Sequence, residues 1–430
     1  AFASMAKGLH ALPEVPTGPN LSRVTELLAL LPESGPETWF RDIYRVEPGH
    51  YVQASATGET VHRHWNPGRS LPVPETFEDQ VAEFRLHLDR AVKSRLRGGG
   101  RRIGSHLSAG LDSSAVAATA ARLMAEKGGR VSAFTSAPRR GFDLPNTPGQ
   151  IEDETDLSAA TAALYPNMDH IVVRNDGRDL TAGLDRGFHV FERPVLNICN
   201  ARWADHIHDE ARRLDLNVML VGSMGNMTFS FDGKTLPGEL LKKGDLTGLF
   251  REGRALVREK RMHWKGYLAQ AFGPWLPTSL WYAMSRIRGR VSRLGDYSAL
   301  KESAFVTHDL EQRARDRGHD LAYRSEADAF AQRVRILRRF DMGNYNKGVT
   351  GGWGLDVRDP TADRRLIEYC LALPTEAFLS DGLPRRLARL GLTDRLPARV
   401  LDERRKGYQA ADWFENLVTS RESLSQEVRR

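Results

Sequence analysis

One continuous stretch constrains the fold more than any other, because it joins a short apolar segment to an alanine-rich segment through a tight turn. The pattern predicts a strand at Arg102–His106 and a helix over residues 115–124, whose small side chains allow close packing on a sheet. Between them, Gly110 lets the backbone approach a ligand, and Ser113 and Ser114 supply hydroxyl groups. Because unbonded N–H groups and the positive end of the helix dipole point into this turn, we expect it to bind an anion.

Asp112 adds a carboxylate to the turn, as expected if a divalent cation arrives together with the anion. Hard cations such as Mg²⁺ take carboxylate oxygens alongside phosphate oxygens. The turn lacks the Gly-Lys-[Ser/Thr] sequence of a P-loop, so it is predicted to be a phosphate loop of another type. The alternative is an ordinary strand–turn–helix junction with a serine cap, but the pattern of residues 108–114 favours phosphate binding.

Composition narrows the class of protein. The chain has 430 residues and a formal net charge of +7, which comes mainly from arginine. This length allows two or three domains, and the diffuse basic charge suits anionic small molecules or an acidic partner better than nucleic acid. No segment has the pattern of a signal peptide or a membrane span. Cys199 and Cys370 cannot form a disulfide framework, so a reducing, cytoplasmic setting is expected.

The order of elements predicts an α/β fold. Residues 1–70 read as part of a β-rich domain, and a linker rich in proline at residues 66–74 predicts a boundary before a second domain at residues 75–430. In that domain, strands alternate with helices, which is typical of a doubly wound parallel sheet that binds ligands at the carboxyl ends of its strands. The almost wholly apolar strand predicted at 217–223 ends in Gly222 and Ser223, which should lie at that same edge.

The remainder of the chain reads as mostly helical. Residues 333–340 form a basic amphipathic pattern, which we interpret as a solvated face whose arginine stems lie on apolar surface. The charged tail at residues 421–430 is expected to be frayed.

Four segments, in the same order, resemble asparagine synthetases. The loop at residues 108–114 resembles the pyrophosphate loop (Ser-Gly-Gly-x-Asp-Ser) of ATP pyrophosphatases, with Ala109 in place of a glycine. Residues 49–51 with His64-Trp65 resemble the end of the synthetases' amidotransferase domain. Residues 354–363 resemble their Gly-x-Glu-x-Arg-x-Pro-Phe-Leu-Asp motif, and residues 404–408 resemble the segment that carries their catalytic lysine.

This resemblance implies a fold and a set of functional residues. The fold would be an adenine-nucleotide alpha hydrolase-like sheet with a helical C-terminal part, preceded by the remainder of an amidotransferase-like domain. Asp112 would hold Mg²⁺, Lys406 would stabilise negative charge during catalysis, and Asp356 would act as a base or an orienting group. ATP would be bound by Leu107, Ser108, Ala109, Gly110, Asp112, Ser113, Ser114, Gly222 and Ser223.

The sequence also departs from the family pattern. Asn226 stands where asparagine synthetases carry an aspartate that helps to hold magnesium, so other groups would have to compensate. The candidates for support on the metal or phosphate side are Glu152, Asp153, Glu154 and Asn226 itself. No residue near the N-terminus matches the nucleophilic cysteine of the family's glutaminase half, which argues against ammonia from glutamine as the nucleophile.

Residues 358–365, 297–299 and 407–413 resemble one branch in particular, the lasso-peptide cyclases. That resemblance implies adenylation of an Asp or Glu side chain in a ribosomal precursor peptide, followed by attack of the peptide's N-terminal amine to close a macrolactam. It also implies a leader peptidase and a leader-recognition protein as partners. Substrate binding would fall to Arg358, Asp359, Arg405 and Tyr408.

Other interpretations remain open. The chain could be an asparagine synthetase or a β-lactam-synthetase-like enzyme acting on a small substrate, or a homologue that binds without turnover. A tRNA-thiolating pyrophosphatase usually needs catalytic cysteines that this chain lacks. At the level of single residues, Lys406 could belong to a solvated basic face, and Asp356 could simply pair with Arg358.

Overall fold

The structure is a computed structural model, and it describes residues 1–68, 71–143, 147–175, 177–195, 197–289, 293–320, 324–339 and 342–430. Arg69 and Ser70 of the predicted linker, and Phe340 of the predicted basic helix, lie outside the described residues. Within the described ranges, no helix is both long enough and apolar enough to cross a membrane.

The strands are short. In chain order they are β1 His50–Ser55, β2 Gly58–Arg63, β3 Arg102–His106, β4 Arg130–Ala137, β5 Gln150–Ile151, β6 Met168–Arg174, β7 Val218–Leu220, β8 Asp356–Arg358, β9 Leu379–Ser380, β10 Leu383–Pro384 and β11 Lys406–Gly407.

Helices make up most of the remaining structure. They are α1 Ala6–Leu9, α2 Leu21–Leu28, α3 Phe77–Arg95, α4 Leu111–Ala125, α5 Thr155–Ala162, α6 Leu184–Phe191, α7 Ile198–Arg213, α8 Leu236–Lys243, α9 Leu246–Arg258, α10 Trp264–Phe272, α11 Thr278–Ile287, α12 Glu302–Thr307, α13 Leu310–Asp316, α14 Ala329–Leu337, α15 Met342–Trp353, α16 Arg364–Ala372, α17 Arg386–Gly391, α18 Ala398–Leu401, α19 Trp413–Thr419 and α20 Arg421–Arg429.

The central sheet confirms the predicted α/β architecture. Among the described residues it has five strands in the order β6–β4–β3–β7–β8, and every neighbouring pair is parallel. Successive residues of β4 from Val131 to Phe134 are all buried, as expected for a strand that is covered by helices on both faces. The register aligns Ser105 of β3 with Leu220 of β7, so the residues that follow these two strands meet at one edge.

Packing on the sheet explains why the sequence reads as it does. The small residues of α4, including Ala115, Ala117 and Ala118, are fully buried, which lets this helix lie close to β3 and β4. Residues of α6, α7 and α15 share another core cluster with the sheet, centred on Phe134, Met219, Ile207 and Trp353 and on smaller apolar residues. The loop that connects β3 to α4 is therefore held between two rigid elements.

The chain forms two compact units. One comprises Ala1–Leu71, Asp232–Asp341 and Leu371–Arg386, and the other comprises Pro72–Phe231, Met342–Cys370 and Leu387–Arg430. The central sheet lies in the second unit. The two domains predicted from the sequence, residues 1–70 and 75–430, are a different kind of division from these units. That division stays a prediction.

The structure corrects two expectations about the helical parts, one of them at a single residue of the basic pattern. Arg333 of α14 is 1% exposed, its guanidinium lies 4.9 Å from the centre of the Phe378 ring, and its Nε donates to the Ala329 carbonyl oxygen. It is therefore a buried residue, not part of a solvated face. The tail forms the helix α20 instead of a frayed segment, although its side chains remain exposed.

Candidate functional site

The loop that follows β3 is anchored to the neighbouring strand. The Leu107 N–H donates to the Phe134 carbonyl oxygen at 2.8 Å, and the Thr135 hydroxyl donates to the Leu107 carbonyl oxygen at 2.9 Å. Gly110 is the N-cap of α4, with extended backbone angles. The chain therefore leaves the sheet in a fixed direction and turns directly into the helix N-terminus, whose first N–H groups have no partner within the helix.

The serines of the loop bond mainly to one another. The Ser108 and Ser113 hydroxyl oxygens lie 2.7 Å apart, and the Ser113 oxygen also accepts from the Ser108 N–H. The Ser108 oxygen accepts from the Gly110 N–H at 3.0 Å, and the buried Ser114 hydroxyl donates to the Ser108 carbonyl oxygen at 2.8 Å. These bonds hold the turn in shape. The sequence predicts that all three serines bind ATP, but the Ser114 hydroxyl bonds to the loop's own backbone.

The turn after β7 packs directly on the loop. A Cβ atom at Gly222 would lie 2.8 Å from the backbone carbonyl carbon of Asp112, and one at Gly225 would lie 2.7 Å from the Asp112 Cβ. Real Cβ atoms essentially never approach so closely, so both positions need glycine while Asp112 stays in place. The structure thus brings Gly222 and Ser223 to the predicted phosphate loop. Gly225 was missed, although the Gly-x-x-Gly spacing of this turn was a signal that could have found it.

The Lys406 segment reaches the same place from the far end of the chain. Strand β11 pairs in parallel with β5, and the Lys406 N–H donates to the Gly149 carbonyl oxygen at 3.0 Å. Shortly after β5, the Glu154 Oε1 accepts from the Ala109 N–H at 3.1 Å. Lys406 is exposed and makes no ion pair with any residue that the structure describes. Three distant segments therefore meet at the carboxyl edge of the sheet.

Asp356 is not brought to this group. The register aligns Asp356 with Val218, at the amino ends of β8 and β7, whereas the loop leaves the carboxyl end of β3. Its carboxylate accepts from Arg358 at 2.7 to 2.8 Å, and Arg358 also donates to the carbonyl oxygens of Arg95 and Arg97. Of the two interpretations of Asp356, a base or a partner of Arg358, the contacts favour the ion pair. Arg358 is thereby bonded within the protein rather than available to a substrate.

Asp359 has a structural position as well. Its carboxylate accepts from the Met224 N–H at 3.0 Å and from the Thr361 N–H and hydroxyl at 2.8 and 2.6 Å. Burial raises the pKa of Asp359, although these hydrogen bonds act in the opposite direction. Asp359 therefore stabilises the turn after β7. Its contacts do not support the substrate-binding role predicted for it.

The other predicted residues have varied surroundings. Glu152 accepts from the Thr147 N–H at 2.6 Å, and Asp153 is bonded to Thr155 and Arg174. Asn226 is exposed at the turn that holds Gly225. The remaining two substrate-binding candidates also have contacts within the protein: Arg405 pairs with Glu403, and the Tyr408 hydroxyl oxygen accepts from the Trp413 indole N–H at 2.8 Å.

His106 ends β3 immediately before the loop. Burial lowers its pKa to about 4, so the imidazole is neutral at physiological pH. Its ring centre lies 6.0 Å from that of Trp203 in an edge-to-face arrangement. These observations are those of a packing residue.

Comparison with known proteins identifies the family of the chain. The family model for asparagine synthase matches residues 83–428. The chain belongs to the asparagine synthase family. The protein asparagine synthetase [glutamine-hydrolyzing] 3 of Bacillus subtilis (strain 168) is similar to this chain, with 24% identity over 452 aligned positions. The alignment covers 98% of this chain and 65% of that protein, so the chain spans less than two thirds of the relative's length.

The residues present fit the nucleotide that this family uses. The close approach of Gly222 and Gly225 to Asp112 packs the turn after β7 against the start of α4, whose first N–H groups would face an anion bound there. Within the described ranges, no group of three or more His, Cys, Asp or Glu residues is arranged to hold a metal ion. Asp112 is the carboxylate of the loop, and a Mg²⁺ ion bound beside it would complete its shell with phosphate oxygens and water.

Proposed function

We propose that this chain activates a carboxylate with ATP and then forms an amide bond, and that its substrate is a peptide in which a macrolactam is closed. Membership of the asparagine synthase family supports the first part, since that family consists of ATP-dependent amide-forming enzymes. The observation that carries the proposal is the convergence of the loop at residues 107–114, the turn at residues 222–225 and the Lys406 strand at one edge of the sheet.

We propose the following chemistry for these positions. A side-chain carboxylate oxygen attacks the α-phosphorus of ATP, the bond to the β-phosphate oxygen breaks, and pyrophosphate leaves. The peptide's N-terminal amine then attacks the activated carbonyl carbon, AMP leaves with the C–O bond electrons, and the amine loses a proton. The loop amides at the start of α4 stabilise the charge on pyrophosphate. The Lys406 ammonium stabilises the charge that develops on the α-phosphate and on the tetrahedral intermediate.

A peptide substrate is supported by the resemblance of residues 358–365 and 407–413 to lasso-peptide cyclases and by the exposure of β11. Both Lys406 and Gly407 are exposed, so a substrate as large as a peptide can reach the lysine. The contacts of Asp356 with Arg358 do not favour Asp356 as the base that removes the proton from the amine. The precursor peptide, a leader peptidase and a leader-recognition protein are the partners that this proposal implies.

A small substrate is the second candidate, because the similar protein is named as an asparagine synthetase. The two are separated by following AMP and pyrophosphate release with ATP and Mg²⁺. One reaction contains free aspartate and ammonia, and the other contains a candidate leaderless core peptide. Turnover with the peptide alone, with a product lighter by one water, supports the cyclase. Turnover with aspartate and ammonia alone contradicts it, and nucleotide binding without any turnover would favour a non-catalytic homologue.

A further inference from the structure

Glu154 lies between the two segments that the proposed chemistry needs. Its Oε1 accepts from the Ala109 N–H at 3.1 Å, which places a carboxylate directly on the phosphate loop. A Cβ atom at Gly407 would overlap the same carboxylate, with Oε1 as the nearest atom, the Glu154 Cδ at 2.7 Å and the Oε2 at 3.0 Å. One side chain therefore touches the loop and fills the space where residue 407 would carry its own side chain.

The acceptor on Ala109 differs from the acceptors on its neighbours. The Ser108 and Gly110 N–H groups donate to hydroxyl oxygens of the loop's own serines. The Ala109 N–H instead donates to a carboxylate, the one kind of protein group that resembles a phosphate oxygen in charge and in acceptor geometry. Within the described residues, Glu154 makes no ion pair with a lysine or an arginine. Burial and the neighbouring charge of Asp153 both raise the pKa of Glu154, so its carboxylate is a weakly stabilised anion in this position.

We propose that the Glu154 carboxylate competes with the phosphates of the nucleotide for the Ala109 N–H. Its carboxylate occupies the Ala109 amide until a phosphate oxygen replaces it, because two anions cannot accept from the same N–H at contact distance. Since the displaced side chain packs on Gly407, nucleotide binding and the position of the Lys406 strand become linked. Glu154 is thus a positioning residue. This inference rests on the proposed function in one respect, namely that the loop binds the phosphates of ATP.

The test is to measure the binding of inorganic pyrophosphate and of ATP by titration calorimetry, each with and without Mg²⁺. Glu154→Gln keeps an oxygen acceptor and the size of the side chain but removes the charge. We expect it to bind pyrophosphate without Mg²⁺ about 3-fold to 30-fold more tightly than the wild type, as for the loss of one half-buried like charge. Asp156→Asn is the matched control, since it removes one negative charge from an exposed position on α5, and it should leave the affinity unchanged.

A second variant tests the same inference without changing the charge. Gly407→Ala forces the Glu154 carboxylate away from its position, because the new Cβ would overlap it. We expect this variant to tighten pyrophosphate binding in the same direction, and the double variant to gain no more than Glu154→Gln alone, since both act on one contact. Circular dichroism and thermal unfolding confirm that each variant is folded.

The outcomes separate this inference from the proposed function. If Glu154→Gln binds pyrophosphate no better than the wild type, Glu154 is not a competitor and the inference fails while the nucleotide site stands. If the variant loses affinity for ATP only when Mg²⁺ is present, Glu154 is a metal ligand and the inference also fails. If neither the wild type nor the variants bind pyrophosphate or ATP, the proposed function itself fails, and the inference fails with it.

Discussion

Gly225 provides the sharpest test of how the nucleotide site is built. A methyl group at this position would lie 2.7 Å from the Asp112 Cβ and would overlap the Asp112 carboxylate. The Asp112 Cβ is fixed by the backbone at the start of α4 and cannot rotate away. Gly225→Ala must therefore move the Asp112 carboxylate, the loop or the turn after β7. Asp112 is the protein ligand expected for Mg²⁺, and we therefore predict weaker binding of ATP with Mg²⁺.

The magnitude follows from the cost of overpacking. Forcing an extra methyl group into a closely packed site costs about 1–3 kcal/mol. Since each 1.4 kcal/mol is about a tenfold change in affinity, Gly225→Ala should raise the Kd for ATP with Mg²⁺ by about 5-fold to 150-fold. Part of the cost can instead appear as a lower melting temperature, so calorimetric titration of the nucleotide and thermal unfolding must be measured on the same samples.

Gly351→Ala is the control for this prediction. Gly351 lies on α15, is exposed, and would place its Cβ in open space with no atom within 4 Å. Replacing a glycine inside a helix by alanine should stabilise the protein by about 0.5–1 kcal/mol and leave nucleotide binding unchanged. If Gly225→Ala binds ATP as the wild type does and unfolds at the same temperature, the close packing of the turn on Asp112 is not required and this reasoning is refuted.

Three further predictions concern other parts of the molecule. Lys406→Ala should lower kcat for AMP release by at least about 100-fold and change the Kd for ATP by less than about threefold, because the lysine charge acts on the transition state. Equal losses in kcat and in ATP affinity would contradict this. Burial lowers the pKa of His208 to about 3, below its value of about 6.5 in the unfolded chain, so the unfolded state binds more protons between these values and stability falls as pH drops from about 6.5. In urea unfolding across this range, the free energy of unfolding should change with pH by about 1.4 kcal/mol per pH unit less in His208→Phe than in the wild type. The same pH dependence in both proteins would count against a neutral buried imidazole. Arg333→Ala should lower the free energy of unfolding by about 2 kcal/mol or more, whereas the exposed Arg338→Ala should change it by less than about 0.5 kcal/mol; similar values for the two would show that burial of Arg333 contributes little.

Features that depend on neighbouring residues in the chain were predicted well from the sequence. The strand at Arg102–His106 was predicted with its observed bounds, and the alanine-rich helix that follows begins at Leu111 with Gly110 as its N-cap. The period of apolar residues and the glycine of a turn are local signals, so the sequence predicts both the parallel sheet and its loop.

Features that depend on distant contacts could not be predicted in this way. The sequence placed Asp356 near the reacting groups through a motif, whereas the register of β8 against β7 sets it at the amino ends of the strands. The basic pattern at residues 333–340 does not reveal that Arg333 faces Phe378, because that ring lies in another segment. The contact between Glu154 and Gly407 depends on the pairing of β5 with β11, and no local pattern encodes it.

The most direct test of the central claim is to follow an oxygen atom from the substrate carboxylate. A candidate leaderless core peptide with an ¹⁸O-labelled acidic side chain is incubated with the protein, ATP and Mg²⁺, and labelled aspartate with ammonia is run alongside. Carboxylate attack on the α-phosphorus predicts that AMP carries one ¹⁸O atom for each amide bond formed. Release of ADP with label in inorganic phosphate, or unlabelled AMP, would contradict adenylation and with it the role assigned to the loop at residues 107–114.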